Sequence, residues 1–244
     1  MSNLRFYSAE KLRIGATVKL SDNAATHATR ALRLSVGDTI NLFNGDGLDY
    51  TCELVSVKKS EVLAKIASSK SIENESPLSI TLLQGISSGD RMDYTIQKAV
   101  ELGVAIIQPI STERSVVKLT AERAQKRLEH WQNVATSACE QCGRASIPIV
   151  LAPVSLSVWL ASNQQNSATR VLLNPLGAKR LAELPTTSQN IQLLIGAEGG
   201  LSTAEIALAL THGFQSIILG PRILRTETAA LTAISAMQTL WGDF

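Results

Sequence analysis

From residue 78 onward, short apolar runs alternate with helical stretches, and this alternation constrains the fold more than any other feature. The runs are LSITLLQGI, VAIIQPI, IPIVLA, RVLLN, IQLLIG and SIILG. Such alternation is typical of an α/β domain with a mostly parallel sheet. Continuous apolar runs such as IQLLIG indicate strands that are buried on both faces. We therefore predict a parallel sheet flanked by helices.

A polar segment without periodicity, SSKSIENESP at residues 68–77, precedes the α/β region. Pro77 disfavours helix at the residue before it, so we predict a boundary here, between domains at residues 1–72 and 73–244. The net charge of the whole chain is only +2. The first domain carries ten basic and seven acidic residues, so the small basic excess lies there.

The sequence of the first domain predicts mostly β-strands. INLFNGDGLDYTCELVSV has β-rich runs on either side of Asn44-Gly45-Asp46-Gly47. Residues of these types tolerate a positive φ, so the pattern predicts a β-hairpin. EVLAKIAS, which follows Lys58-Lys59-Ser60, predicts a third strand. A small barrel is the simplest fold for these strands.

One helix is predicted among these strands, in SDNAATHATRALRLSVGD. Ser21 or Asp22 would cap its start, and Gly37 follows its end. At helical spacing, His27, Arg30 and Arg33 cover the side opposite the apolar face. A basic face is ordinarily solvated surface, but it can also supply phosphate contacts that position RNA.

The first candidate for chemistry is the Gly-rich segment Ile195–Gly200, which directly follows an apolar strand. Ser202 and Glu205 form an S-x-x-E capping box that begins the next helix. Ligands of α/β sheets bind where strands end, and glycines let a ligand approach backbone N–H groups. A tight turn without a ligand is the alternative. The spacing matches neither G-x-G-x-x-G nor a P-loop, which disfavours dinucleotide and triphosphate sites.

The second candidate is LGPRILRTETA at residues 219–229, again directly after a strand. Adjacent parallel strands would bring this loop beside the first one. Its arginines could hold a phosphate or stabilise an anionic transition state. The alternative is a surface ion pair between Arg225 and Glu227, of little energetic value. Thr226 or Thr228 is expected to cap the terminal helix.

These two segments, with IQKAVELGV at 96–104 and ACEQCGRASIP at 138–148, resemble the RsmE family of ribosomal RNA uridine-N3 methyltransferases, in the SPOUT superfamily. H-x-x-R-A-L-R, which begins at residue 27, and the N-G-D-G hairpin resemble that family's PUA-like RNA-binding domain, so the resemblance runs through the whole chain. Ala197 departs from it, because the family usually has Pro there. The resemblance implies a deep trefoil knot in the α/β domain and a PUA-like β-barrel before it.

The function that this resemblance implies is methylation of N3 of a uridine in 16S ribosomal RNA of the small subunit, with S-adenosylmethionine as methyl donor and without a metal. It also implies a homodimer formed through the C-terminal domain. Three cysteines and the lack of an apolar leader favour a cytoplasmic protein. Two alternatives stay open: a SPOUT enzyme with another RNA target, and a catalytically silent RNA-binding assembly factor.

The cofactor site that the resemblance implies consists of three loops, near residues 173–175, 196–200 and 219–229. Its residues are Leu173, Asn174, Pro175, Ile195, Gly196, Glu198, Gly199, Gly200, Leu219, Gly220, Ile223, Leu224, Arg225, Thr228 and Ala229.

We expect catalytic roles for Arg225, Arg144, Glu198 and Glu227. The two arginines would stabilise negative charge on the uracil or anchor a phosphate. Either glutamate could orient the loops or accept a proton, and the sequence does not rank them. The residues expected to contact RNA are His27, Arg30, Arg33, Lys98, Glu101, Arg114, Glu140, Arg144 and Arg222.

Several patterns have a structural alternative. Cys139-x-x-Cys142 lacks the further ligands of a metal site, and Cys142 belongs to an apolar helical stripe. Glu140 and Arg144 could form only an i,i+4 pair, and an exposed helical face explains Lys98 and Glu101 equally well. His130 and His212 are interpreted as structural. The apolar last helix, TETAALTAISAMQTLW, is expected to be buried, with a subunit interface as a natural place for it.

Overall fold

The computed structural model describes residues 4–58, 61–117, 120–163, 167–177, 179–185 and 188–244. The chain forms two compact units, of which the first comprises Met1–Glu75 and Thr136–Ile147 and the second Ser76–Ala135 and Pro148–Phe244. The sequence predicted a boundary after residue 72. The units instead divide after Glu75, and the first unit also includes a segment that the prediction gave to the second domain.

The first unit contains a five-stranded mixed sheet with the spatial order β1-β3-β4-β5-β2. Its strands are β1 (Arg5–Tyr7), β2 (Thr17–Lys19), β3 (Thr39–Phe43), β4 (Leu48–Lys58) and β5 (Glu61–Ser71). β1 runs parallel to β3, and the other neighbours are antiparallel. Alternate residues of β4 and β5, such as Leu54 and Ala64, are fully buried in one apolar core.

The predicted hairpin between β3 and β4 is confirmed. Gly45 and Gly47 have φ angles of 93° and 86°, a backbone conformation that glycine adopts readily. Asp46 fixes the turn, because its Oδ1 accepts a hydrogen bond from the Leu48 N–H at 3.0 Å and its Oδ2 accepts one from the Tyr50 hydroxyl at 2.8 Å.

The predicted helix is confirmed at its start and differs beyond it. α1 (Asp22–Thr26) begins after Ser21, whose Oγ accepts a hydrogen bond from the Ala24 N–H. The backbone then passes into a π-helical turn, His27–Ala31, and Arg33 has a positive φ of 54°. The wider π turn changes the helical spacing from which the basic face was predicted.

Arg5 explains why Thr136–Ile147 belongs to the first unit. Its guanidinium, in a residue only 4% exposed, donates two hydrogen bonds to Asp49 Oδ1, at 2.9 and 2.7 Å, and lies 3.7 Å from the centre of the Phe43 ring. The same group donates to the backbone carbonyls of Cys139 at 2.6 Å and Arg144 at 3.0 Å. One buried cation therefore fastens this segment to β1 and β4.

The second unit contains an eight-stranded sheet with the order β11-β13-β10-β12-β6-β7-β8 and with β9 paired to β7. All of these pairs are parallel, which confirms the predicted α/β class. The strands are β6 (Ser79–Gly85), β7 (Ile106–Ser111), β8 (Ile149–Val150), β9 (Val154–Ser155), β10 (Thr169–Leu173), β11 (Lys179–Arg180), β12 (Asn190–Ile195) and β13 (Gln215–Ile218).

Helices flank this sheet, so successive residues such as Leu193 and Leu194 of β12 are both fully buried. They are α2 (Asp90–Glu101), α3 (Ala121–Cys142), α4 (Leu156–Ser162), α5 (Thr203–Thr211) and α6 (Thr226–Trp241), with a 3₁₀ turn at Leu181–Glu183. None of the helices in the described ranges is long and apolar enough to cross a bilayer.

The last helix, α6, packs against α2, and its residues Ile234 and Met237 are fully buried. In the single chain, Leu240 of the second apolar stripe is 46% exposed, so burial of that stripe in a subunit interface stays a prediction. Gln238 is fully buried and joins two distant segments. Its Nε2 donates to the Leu102 carbonyl at 2.8 Å, and its Oε1 accepts a hydrogen bond from Ser76 Oγ at 2.8 Å.

Replacement of Gln238 by Met should lower the free energy of unfolding by about 2 kcal/mol, because the partly buried Leu102 carbonyl and Ser76 hydroxyl lose their partner. Urea unfolding followed by circular dichroism would measure the loss. Thr239→Ala, at an exposed position whose hydroxyl donates to the Ser235 carbonyl within the same helix, should change the midpoint little. Equal midpoints for the two variants would contradict a stabilising role for Gln238.

Candidate active site

A cavity of about 780 Å³ opens at the carboxyl ends of β10, β12 and β13, where the three loops that follow these strands come together. Its volume lies within the range of small-molecule sites, about 300–1,000 Å³. Every residue that the sequence predicted for the cofactor loops lines this cavity except Thr228. The three predicted loops therefore form one concave surface.

The Gly-rich loop after β12 is a tight turn in which Gly200 N–H donates to the Ala197 carbonyl at 2.8 Å. A Cβ on Gly196 would lie 2.6 Å from the carbonyl carbon of Gly200, and one on Gly199 would lie 2.9 Å from the Cβ of Arg114. Close packing on both sides therefore requires glycine at these positions.

The capping box after this loop is confirmed. Ser202 Oγ accepts a hydrogen bond from the Glu205 N–H, and Glu205 Oε2 accepts one from the Ser202 N–H. Glu205 Oε1 also accepts a hydrogen bond from the Glu113 N–H at 2.9 Å, so the cap joins α5 to the loop that follows β7.

A chain of buried hydrogen bonds connects the loop to the start of α6. Gln84 Nε2 donates to Thr226 Oγ1 at 2.9 Å, and Thr226 Oγ1 donates to the Gly196 carbonyl at 2.6 Å. The predicted capping by Thr226 or Thr228 is therefore wrong, because Arg225 is the N-cap residue and no side chain caps the helix. The Thr226 hydroxyl bonds to the neighbouring loop instead.

Glu198 binds the loop that precedes α2. Its Oε1 accepts hydrogen bonds from the Ser88 N–H at 2.8 Å, from Ser88 Oγ at 2.9 Å and from Arg91 Nη1 at 2.8 Å. Burial alone would raise the pKa of Glu198, but these hydrogen bonds outweigh it and hold that pKa below its usual value. Arg91, which also lines the cavity, was missed by the sequence analysis because its partner is 107 residues away.

Arg114, Arg222 and Arg225 also line the cavity, and all three are exposed. Arg114 Nη1 donates to the Gly199 carbonyl at 3.3 Å. The surface pair considered for Arg225 and Glu227 does not occur among the ion pairs of the described residues. The guanidinium of Arg225 is accessible to an anionic ligand.

Glu227 lies in the first turn of α6 and lines the same cavity. Its Oε2 is shut off from solvent and receives no hydrogen bond from the described part of the chain. Buried carboxylate oxygens nearly always have a donor, so this oxygen requires an explanation.

Arg144 does not line the cavity. It is 5% exposed and binds Glu75 in the first unit through two hydrogen bonds. α3 ends at Cys142, so the predicted helical pair of Glu140 with Arg144 is wrong. Glu140 Oε1 instead accepts a hydrogen bond from the Tyr7 N–H at 2.9 Å. Burial raises the pKa of Glu140.

The remaining residues that were expected to contact RNA lie on two surfaces. His27, Arg30 and Arg33 are all exposed in the first unit. In the second unit, Lys98 and Glu101 of α2 form an ion pair with each other at 2.7 Å. RNA contact by these five residues stays a prediction.

The cysteine and histidine patterns agree with structural interpretations. Burial raises the pKa of the Cys139 thiol to about 12, which opposes the thiolate that a metal or redox site needs. His130 Nε2 lies 2.6 Å from Asp93 Oδ2, and His212 Nδ1 lies 2.9 Å from the Leu208 carbonyl oxygen. Over the described ranges, no group of three or more His, Cys, Asp or Glu side chains could hold a metal ion.

Comparison with known proteins agrees with this geometry. Residues 74–238 match the model of an RNA methyltransferase domain, and residues 20–67 match an RNA methyltransferase PUA domain. The chain is 35% identical over 242 residues to the ribosomal RNA small subunit methyltransferase E of Buchnera aphidicola, covering 98% of this chain and 94% of the relative.

Two solved structures are similar over nearly their whole length. The ribosomal RNA small subunit methyltransferase E of Neisseria gonorrhoeae, bound to S-adenosylmethionine, is 46% identical with a TM-score of 0.90, over 98% of both chains. A Legionella pneumophila methyltransferase in complex with the same cofactor is 41% identical with a TM-score of 0.94, over 99% of both chains.

Replacement of Glu198 by Gln should loosen the Gly-rich loop, because the charged acceptor of three hydrogen bonds is lost. We expect the amides of residues 196–201 to exchange about fivefold faster in hydrogen–deuterium exchange, which corresponds to about 1 kcal/mol. Glu122→Gln, which removes an exposed partner of Lys126, is the matched control. Unchanged exchange in the Glu198 variant would show that these hydrogen bonds do not hold the loop.

The same hydrogen bonds give the loop a pH dependence with a defined sign. Because the pKa of Glu198 is lowered in the folded chain, the contribution is complete above the unfolded-chain value of about 4.3. It is lost as the pH falls through the lower, folded value. Loop exchange, corrected for intrinsic rates, should therefore accelerate only in acid, and this acid step should be absent in Glu198→Gln.

Proposed function

The chain belongs to the RNA methyltransferase family, together with the small subunit ribosomal RNA methyltransferases E, and from this we propose that it methylates N3 of a uridine in the 16S ribosomal RNA of the small subunit. The methyl donor is S-adenosylmethionine. The observation that carries the proposal is the cavity at the ends of β10, β12 and β13, lined by the loops that the family resemblance implied.

The cavity suits S-adenosylmethionine in volume and in lining. Leu173, Leu219 and Leu224 supply half-buried apolar walls, and the packing of Gly196 and Gly199 leaves the main chain close to the space. Backbone groups in such a loop can bind the polar edges of a nucleoside. When bound, the cofactor supplies an electrophilic methyl group on a positively charged sulfur.

The residues of this chain must then make uracil N3 reactive. N3 carries a proton, and once that proton leaves the uracil is an anion that needs stabilisation. Arg225 is exposed at the cavity and lies at the N-cap of α6, so its guanidinium is suited to face the negative charge or an adjacent phosphate. The ion pair that the buried Arg144 forms with Glu75 favours a structural role for Arg144 over the predicted catalytic one.

N3 lies on the Watson–Crick edge, so the target uridine must be unpaired or extruded when it is methylated. In the first unit, the exposed His27, Arg30 and Arg33 lie within the segment that matches the PUA domain. These side chains are suited to phosphate contacts that position RNA without reading its sequence.

The proposal includes the deep trefoil knot of the α/β domain. β10 lies between β12 and β13, yet the segment after β13 returns to Gly196 at the end of β12 and to Gln84 on β6. Such a return across the ends of two strands is what a threaded chain requires. We also propose that the sheet of the first unit closes into a barrel. We further propose a homodimer, for which the exposed Leu240 of α6 is a candidate contact.

Incubation of the chain with S-adenosylmethionine and undermethylated small subunits, followed by mass spectrometry of the digested RNA, tests the proposal. N3-methyluridine in 16S ribosomal RNA is the expected product. Another methylated nucleoside would point to a SPOUT enzyme with a different target. RNA binding without any methyl transfer would point to a silent assembly factor.

Arg225→Ala should lower kcat by about 10²-fold at saturating S-adenosylmethionine, the usual cost of losing one group that stabilises transition-state charge. Arg127→Ala, on the exposed surface of α3, removes the same charge elsewhere and should leave kcat unchanged. If the two variants had the same kcat, Arg225 would have no role in charge stabilisation.

A further inference from the structure

We propose that Glu227 accepts the proton from N3 of the target uracil, and that Glu198 serves only to hold the loop. This inference rests on the proposed function and deepens it, because it assigns the proton acceptor that the sequence left open between these two carboxylates.

The contacts of Glu198 lower its affinity for a proton. Three donors already reach its Oε1, two from Ser88 and one from Arg91. These donors stabilise the ionised form, as the lowered pKa of Glu198 reflects. Protonation of Glu198 would release the loop that precedes α2 and disturb the cavity during each turnover.

Glu227 has the opposite environment. Its Oε2 is buried, and no hydrogen bond from the described residues reaches that oxygen. The residue nevertheless lines the cavity, so a bound ligand can supply the missing donor. The terminal torsion of a glutamate is broad and roughly two-fold, so either oxygen can turn toward that donor.

Hydrogen bonds of the neighbouring residue fix the backbone position of Glu227. Its neighbour Thr226 is buried and donates to the Gly196 carbonyl, while Gln84 donates to the Thr226 hydroxyl. Arg225, on the other side of Thr226, lines the cavity as well. The first turn of α6 therefore presents an acceptor for a proton and a cation for the resulting negative charge within three consecutive residues.

Uracil supplies the donor that Glu227 lacks. Its N3 bears a hydrogen, whereas N3 of cytosine is an acceptor that an ionised carboxylate would repel. The N3–H bond breaks, and the proton forms an O–H bond on Glu227. The nitrogen electron pair then bonds to the methyl carbon, while the electron pair of the broken carbon–sulfur bond stays on sulfur. Glu227 afterwards releases its proton to water.

The test compares Glu227→Gln with the unaltered chain in the small-subunit assay. We expect kcat at pH 7 to fall by about 10²- to 10⁴-fold. The variant should regain rate in alkaline solution, where the uracil loses its N3 proton without help. Calorimetry should show binding of S-adenosylmethionine within twofold of the unaltered chain. Glu122→Gln, an exposed carboxylate on α3, should behave as the unaltered chain does.

Several results would overturn the assignment. An unchanged kcat would show that Glu227 takes no part, and a loss of cofactor affinity with kcat preserved at saturation would make Glu227 a cofactor ligand. A loss of kcat that is equal at all pH values would indicate a structural role. If the unaltered chain produced no N3-methyluridine, the proposed function would fail and this proposal with it. Equal product from both chains would overturn only the role of Glu227.

Discussion

The hydrogen bond from the Thr226 hydroxyl to the Gly196 carbonyl is the contact on which the cavity depends. It joins the start of the last helix to the Gly-rich loop, and the hydrogen bond from Gln84 ties both to β6, an interior strand of the sheet. A buried polar group that loses its partner costs about 1–3 kcal/mol, so this short chain of bonds strongly favours one arrangement of the elements. With that arrangement fixed, the first turn of α6 faces the cavity, and Arg225 and Glu227 line it.

Around this contact, backbone packing and a few charged side chains determine the shape of the cavity. Gly199 lies against Arg114, and Gly85 approaches so closely that a Cβ on it would lie 2.2 Å from the Ala197 nitrogen. Glu198 holds the opposite wall through Ser88 and Arg91. Ala197 is buried inside this turn, at a position where the family that the sequence resembles usually has proline. The turn is closed by a hydrogen bond from the Gly200 N–H to the Ala197 carbonyl, which forms here without the ring constraint of proline.

Features encoded locally could be predicted from the sequence, and features that depend on distant partners could not. The strands, the hairpin at residues 44–47, the capping box of Ser202 and Glu205 and the loops after β12 and β13 each follow from a short pattern. The cavity loop at residues 173–175 was implied only by the family resemblance. Two hydrogen bonds, from Arg5 to the Cys139 carbonyl and from Arg91 to Glu198, join residues more than 100 positions apart, so no local pattern shows them. Thr226 was misassigned for the same reason, because a threonine at a helix start normally caps the helix, and here a tertiary acceptor takes its hydroxyl.

The large separation in sequence between Gln84 and Thr226 also determines when the cavity can form during folding. Gln84 and Thr226 are 142 residues apart, and the loop between them must close before their hydrogen bond contributes anything. Contacts of such long range, in an all-parallel sheet, slow folding. During synthesis the N-terminal unit and most of the sheet leave the ribosome before Thr226 does. The cavity is therefore among the last parts of this protein to form, and a chain that lacks its final helix has no cavity of this shape.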